Sequence, residues 1–399
     1  MNNHSSWQRK ELPFLTLYAI VFYVIIIRRS LQLSQDHHGK LYGLRPGWIG
    51  GWLNDVSDAQ WRNFRGNLPV LTIVLGIFTS IANMLRVYYQ LKAKGMSIVW
   101  LLISLAYLSY LHGACIIFVL LITSVNFLLV KSIGLIGMTF VVPLDGRSAL
   151  ILEGNGQNDS FSFSIYLCYL VYAPLYIAGP ILSFNAFASQ IDTPQKNYSL
   201  RQVAWYGLRW YISFFLMELM THLFYYNAFA ISGLWKQLSP MDVFIIGYGV
   251  LNFVWLKFFL IWQYFRFWSL ISGIEAPENM PKCINNCYNL ESFWKNWHAS
   301  FNKWLVRYVY IPLGGSQRKL LNVWVIFTFV AIWHDLEWKL LAWAWLTCIF
   351  FVPEMIAKSA ANAFQVRRAF GEFVFREVSA VAGAITITCL VVGLLSVHL

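Results

Sequence analysis

Residues 293–316 read F-W-K-N-W-H-A-S-F-N-K-W-L-V-R-Y-V-Y-I-P-L-G-G-S, and residues 320–335 read L-L-N-V-W-V-I-F-T-F-V-A-I-W-H-D. The first stretch mixes aromatic and basic residues at helical spacing. The second is an apolar run, Asn322–Trp333, that ends in His334 and Asp335. An interfacial aromatic-basic segment feeding an apolar helix is a membrane pattern. The rest of the chain agrees with it. Of 399 residues, 58% are hydrophobic and only 12% charged, and the mean hydropathy is +0.55. Soluble domains are about a quarter charged, so this chain cannot cover a globular surface with charge. Its long unbroken apolar runs exclude the short alternating segments of a β-barrel. The expectation is an all-α polytopic membrane protein, one integral membrane domain over residues 1–399.

The runs predict the spans. Leu12–Ile27 is the first membrane helix, since Arg28-Arg29 follows it without the small-residue pattern of a cleavable signal. Asp58 is placed to cap a short basic helix with Trp61 and Phe64 on one face, lying in the interface, and Pro69 then starts a second span. The apolar stretch Ile98–Val130 is too long for one crossing at ~1.5 Å per residue, and a helix–turn–helix broken at Gly113 is expected, with His112 a turn residue. Pro174, Gly179 and Pro180 interrupt Ser164–Asn185, which predicts a bent or re-entrant element near the functional centre. Sequons at Asn158 and Asn197 flank it. Further spans are expected at 204–233, 241–272, Asn322–Trp333, Lys339–Phe351 and Val378–Val397. No internal repeat is visible, which argues against the inverted-repeat transporter design.

The formal net charge of +12 fits the positive-inside excess of a multi-spanning protein, with a share available to an anionic ligand. Nucleic acid is not an expected partner. Cys115, Cys168, Cys348 and Cys389 lie in apolar runs. Cys283 and Cys287 share a polar loop, open to a disulfide or lipidation, but two thiols alone make no zinc site; no metal is expected.

The chemistry concentrates in the opening stretch. As one helix over Trp294–Tyr308, it puts His298, Phe301, Asn302 and Leu305 on one face. Lys295, Lys303 and Arg307 gather around the other side, and Lys303 with Arg307 is spaced to clamp phosphates. Gly314-Gly315 allows a tight turn or a close ligand approach. His334 ends an apolar run, so it can lie deep and neutral, the state a general base requires. A rival reading makes Glu218 and His222, one turn apart in an apolar span, a proton relay of a polyol transporter.

At these residues the chain resembles the membrane-bound O-acyltransferase superfamily. W-H-A-S-F-N-K-W-L-V-R-Y-V-Y-I-P-L-G-G-S and F-V-A-I-W-H-D are similar to its two signature regions. D-A-Q-W-R-N-F-R-G-N-L-P and Y-A-P-L-Y-I-A-G-P resemble its Gup (glycerol uptake protein) branch, related to Hedgehog acyltransferase, and the likeness runs from about residue 57 to 377. The resemblance implies a bundle of roughly ten to eleven transmembrane and re-entrant helices around a tunnel. It implies transfer of a long-chain acyl group from acyl-CoA, a co-substrate, to a hydroxyl acceptor, with no permanently bound cofactor. The superfamily's near-invariant histidine matches His334, and its second polar position matches His298. Trp297, Asn302, Lys303, Arg307, Trp333 and Asp335 are the expected substrate-binding residues. The implied partners are acyl-CoA, a lipid or other hydroxyl acceptor and the bilayer. The implied setting is the endoplasmic reticulum membrane and the remodelling of GPI-anchor lipid. Protein acylation of the Hedgehog-acyltransferase type and an inactive scaffold are the alternatives. Relative to the branch, the C-terminal end is expected to be shortened.

Overall fold

The computed structural model describes residues 3–137, 162–287 and 289–363. Among these most residues are helical, and one two-stranded hairpin is the sheet present. The elements are α1 (Asn3–His37), β1 (Leu44–Pro46), β2 (Leu53–Asp55), α2 (Ala59–Tyr89), α3 (Ala93–His112), α4 (Ile116–Gly137), α5 (Phe163–Val171), α6 (Ala173–Tyr176), α7 (Phe184–Asp192), α8 (Leu200–Leu223), α9 (Tyr226–Ser232), α10 (Pro240–Ile271), α11 (Leu290–Asn296), α12 (Ala299–Leu305), α13 (Lys319–His334) and α14 (Trp338–Ala363). Four stretches of the described residues are long and apolar enough to cross a bilayer: Leu12–Lys40, Ala59–Tyr89, Ala93–Leu129 and Pro240–Ile271. The expected last span, Val378–Val397, and the sequon at Asn158 lie outside the described residues.

The helix ends follow local chemistry. Asp58 caps α2, its Oδ1 accepting the Trp61 N–H at 2.6 Å. Ser199 and Gln202 form a reciprocal capping box at the start of α8. Ser239 caps α10, with Pro240 in the first turn, where its missing N–H costs nothing. Helix α10 is the central column: half of its apolar window is buried inside the protein, between α1, α2, α8 and α9. At its N-terminal end, Arg29 of α1 grips Asp242 with two bonds, 2.7 and 3.0 Å.

Three expected boundaries are corrected. The interfacial helix and second span are one helix, α2, with Pro69 inside it. Trp61 and Phe64 do share a face, but that face is buried at 2% and 9% exposure. It packs on Phe214, Tyr264 and Phe265, so this segment is core rather than a float on the bilayer. The 204–233 span is divided, because Tyr225 adopts a left-handed backbone (φ +47°) and Asp55 of β2 captures the Ala228 N–H at 2.9 Å. The third boundary, inside the opening stretch, belongs to the site.

Two expected breaks stand where placed. The 93–129 stretch is interrupted at Gly113 (φ +55°), where His112 meets the Tyr176 hydroxyl at 3.1 Å. The Pro174–Pro180 region divides into α5, α6 and an irregular passage into α7. Its loosened backbone is satisfied from neighbours. The Ala173 N–H donates to Ser104 Oγ (3.1 Å), the Ile181 N–H to Ser300 Oγ (2.9 Å), and the Leu182 carbonyl accepts from Tyr169 Oη (2.7 Å).

Candidate active site

The opening stretch does not form one helix. It breaks at Trp297-His298 into α11 and α12, then passes into a π-helical turn over Val306–Tyr310. The pivot is His298, at φ +48° and ψ +49°. A left-handed non-glycine residue is uncommon, and such strain clusters at functional sites. The break rotates α11 away, so Lys295 does not join Lys303 and Arg307. It pairs instead with Glu291 at 2.7 Å on its own helix.

The turn swings the His298 ring into an aromatic enclosure. Its centroid lies 4.4 Å from Trp262 of α10, 5.2 Å from Phe301 of α12 and 6.2 Å from Trp333 of α13. Trp333 in turn packs against Phe301 at 4.6 Å with the rings tilted by 30°, and meets the His334 ring edge-on at 4.9 Å. The two histidines, 36 positions apart in sequence, thus share one tryptophan between them. His298 lies outside the four spanning stretches. Burial pushes its imidazole down to about 4 from the ordinary 6.5; its own backbone carbonyl works against this and the charge of His334 adds to it. Its Nδ1 makes no hydrogen bond to another described residue. At neutral pH the ring is uncharged, with one edge available.

The His334 side chain is exposed, on the last residue of α13. Phe327 and Ala331 face α14 and are buried, at 8% and 0% exposure. Ile332 and Trp333 point off that face, and His334, three and seven positions on from Ala331 and Phe327, returns to it at the helix end. Asp335 ends the helix, its N–H bonded to the Ala331 carbonyl and its Oδ1 accepting the Leu336 N–H at 2.7 Å. Trp333 is 49% exposed.

The other expected residues divide. Phe301 and Leu305 pack with Val330 of α13, and Ile181 and Ile326 lie against them; this brings the proline-broken passage to the site. Asn302 is half-buried on the same helix. Lys303 and Arg307 are exposed, and the Arg307 guanidinium sits 5.7 Å over the Tyr308 ring. Trp297 is not in the enclosure. It stacks on Phe293 at 5.5 Å and meets Phe258 edge-on at 5.9 Å, within a separate apolar group. Gly314 and Gly315 do form a positive-φ turn, at +98° and +54°, tied to α13 by Asn322, whose Nδ2 donates to the Gly315 carbonyl at 2.9 Å. Sequence reasoning missed Trp262, which is one aromatic among many in α10, and Asn322, which carries no motif.

Glu218 and His222 belong to a different construction. The Glu218 carboxylate is 2.6 Å from Arg65 Nε and accepts from Arg65 Nη2 (2.7 Å) and Trp48 Nε1 (2.8 Å). His222 turns Nδ1 to the Glu218 main-chain carbonyl at 2.7 Å, not to its carboxylate. A side chain at Gly47 would come within 2.5 Å of His222 Cδ2 and Nε2, so main chain seals that edge. Among the described residues, the bonds of this pair run to Arg65, Trp48 and main chain.

Comparison with known proteins identifies the family. The sequence model of MBOAT, the membrane-bound O-acyltransferase family, matches residues 148–397, a stretch that contains both histidines. The chain is similar to membrane-bound O-acyltransferase gup1 of Schizosaccharomyces pombe, 30% identical over 396 residues that cover 78% of this chain and 68% of that protein. Membrane-bound O-acyltransferase GUP1 of Saccharomyces cerevisiae is 28% identical over 439 residues, covering 88% and 78%. Protein-cysteine N-palmitoyltransferase HHAT of Mus musculus is a more distant relative, 30% identical over 198 residues that cover 48% and 40%. The chain therefore belongs to the membrane-bound O-acyltransferase family and is an integral membrane acyltransferase.

Proposed function

We propose that this acyltransferase moves a long-chain acyl group from acyl-CoA to a hydroxyl of a lipid acceptor, with His334 and His298 as its catalytic pair. The observation that carries the reading is the shared contact of both rings with Trp333. A neutral imidazole at His334 takes the proton of the acceptor hydroxyl as its oxygen attacks the thioester carbon. The C–O bond forms, the C–S bond breaks, and the CoA thiolate leaves, to be protonated in turn. His298, held neutral by burial, hydrogen-bonds the acceptor or the thioester carbonyl through its open edge. The aromatic walls of Trp262, Phe301 and Trp333 limit water, which would otherwise hydrolyse the thioester. Transfer is direct, in a complex of both substrates, without an acyl-enzyme. Lys303 and Arg307, exposed on one side of the site helix, hold the CoA phosphates. Trp333, Asn302 and Asp335 border the substrates. No resident cofactor or metal takes part.

The acceptor in this reading is a lyso-lipid, in keeping with a Gup-like role in GPI-anchor lipid remodelling at the endoplasmic reticulum. The test is purified protein in detergent with radiolabelled acyl-CoA and a panel of lysolipids. Label should move into one lysolipid class. Labelled glycerol flux in proteoliposomes with no acyl transfer to any acceptor would contradict the reading.

A further inference from the structure

Helix α12 begins at His298, whose side chain occupies the N-cap position but caps nothing. An N-cap residue ordinarily turns its side chain back onto the free N–H groups of the first turn. Had His298 done so, its imidazole would be folded against its own helix. The first-turn donors are instead satisfied from elsewhere. The Ala299 N–H donates to the main-chain carbonyl of Asn279 at 2.9 Å. The Ser300 N–H donates to Asn279 Oδ1 at 3.0 Å. Ser300 Oγ then accepts the Ile181 N–H from the proline-broken passage. Asn279 lies in the loop between α10 and α11 and is only 1% exposed.

We propose that Asn279 is a positioning residue for acyl transfer: it caps α12 in place of His298, fixes the left-handed turn and leaves the imidazole free for the substrates. The two bonds fall on the two residues directly after His298, so they fix where the helix axis starts and hence where the ring points. Strain at φ +48° persists only where surrounding structure over-determines it, and Asn279 is the over-determining contact. Its amide Nδ2 has no hydrogen-bond partner among the described residues. An ordinary structural asparagine at that depth would satisfy both ends of its amide. This one is committed through its oxygen alone.

The inference rests on the reading of His298 as a catalytic residue, and the experiment separates the two. Steady-state acyl transfer is measured for wild type, Asn279→Ala, Asn279→Asp, Asn279→Ser, His298→Ala and the Asn279→Ala/His298→Ala double variant. Misplacing a catalytic group by about 1 Å can cost ~10²-fold, so Asn279→Ala should lower kcat about 10- to 100-fold with acyl-CoA KM within about twofold. Asn279→Asp, which keeps the acceptor oxygen, should recover most of that loss, and Asn279→Ser should fall between. Because Asn279 acts through His298, the double variant should be no slower than His298→Ala alone. Wild-type kcat in Asn279→Ala, or losses that multiply in the double variant, would overturn the proposal. If the alanine variant does not fold, Asn279→Ser combined with His298→Ala gives the same comparison. If His298→Ala itself keeps full kcat, the reading of His298 fails, whatever Asn279 does.

Discussion

Two buried polar regions of this molecule look alike in sequence and differ in construction. Both place a histidine among aromatic residues in an apolar setting. Around His222, charged or main-chain partners meet several of the polar groups, although His222 Nε2 itself has no hydrogen-bond partner among the described residues. Arg65 and Trp48 hold Glu218, Asp58 holds Lys257 at 2.8 Å, and Asp55 holds Ser57 and the Ala228 N–H. Main chain closes over the ring edge at Gly47. Around His298, the walls are aromatic, the backbone is left-handed, and among the described residues the ring's Nδ1 and Asn279 Nδ2 have no hydrogen-bond partner. The first arrangement joins α2, α8, α10 and the hairpin. The second holds a reactive side chain with capacity to spare. A buried ionisable group in a membrane protein is a functional candidate, and here the ion pair beside His222 and the left-handed backbone with aromatic walls at His298 set the two regions apart.

The largest expected effect breaks the first region. Removing one partner of a buried ion pair costs ~3–5 kcal/mol, and Arg65 is partly exposed, so Glu218→Ala should destabilise by about 3 kcal/mol. Thermal unfolding in detergent should show a marked drop in Tm, while kcat per folded molecule stays near wild type. A folded Glu218→Ala protein that has lost turnover would return this pair to the catalytic machinery.

The next effect sharpens the second region. Reversing charge at both Lys303 and Arg307 should raise the acyl-CoA KM by roughly tenfold, about 1.4 kcal/mol of binding. The acceptor KM should move much less. Equal shifts in both would make the two cations headgroup contacts at the membrane surface.

A smaller effect follows from the depressed imidazole of His298. Its folded value is about 4, below the ordinary 6.5. The unfolded chain therefore binds the proton more tightly than the folded one, and stability falls with pH through that window. Wild-type Tm should decline as pH drops from about 7 toward 4, and His298→Asn should flatten part of that slope.

Local chemistry was legible in the sequence. Asp58 announced its cap, Gly113 and the Pro174–Pro180 element announced their breaks, and the apolar runs announced a membrane protein. The two signature segments brought His298 and His334 together on paper before any fold. What the sequence concealed depends on partners far along the chain. Arg65 and Glu218 are 153 positions apart, so neither a capping pattern nor a helical period reveals their pairing. The break at Trp297-His298 was hidden for the same reason: the spacing of His298, Phe301, Asn302 and Leu305 fits a continuous helix. Only the bonds from Asn279 show why the helix starts anew. The exposure of His334 was not legible because an apolar run gives length and says nothing of what covers a helix's last residue.

The most direct test of the central claim compares purified wild type, His334→Ala and His334→Gln in labelled acyl transfer, at matched detergent Tm. General-base assistance is typically worth about 10²–10⁴-fold. The account predicts that His334→Ala lowers kcat by that order with KM for both substrates little changed, since the imidazole acts mainly in the transition state. His334→Gln, similar in size and able to hydrogen-bond, should fold normally and restore no turnover. Variants that fold as wild type and keep near-full kcat would contradict the account and leave the His298–Trp333–His334 contact as packing.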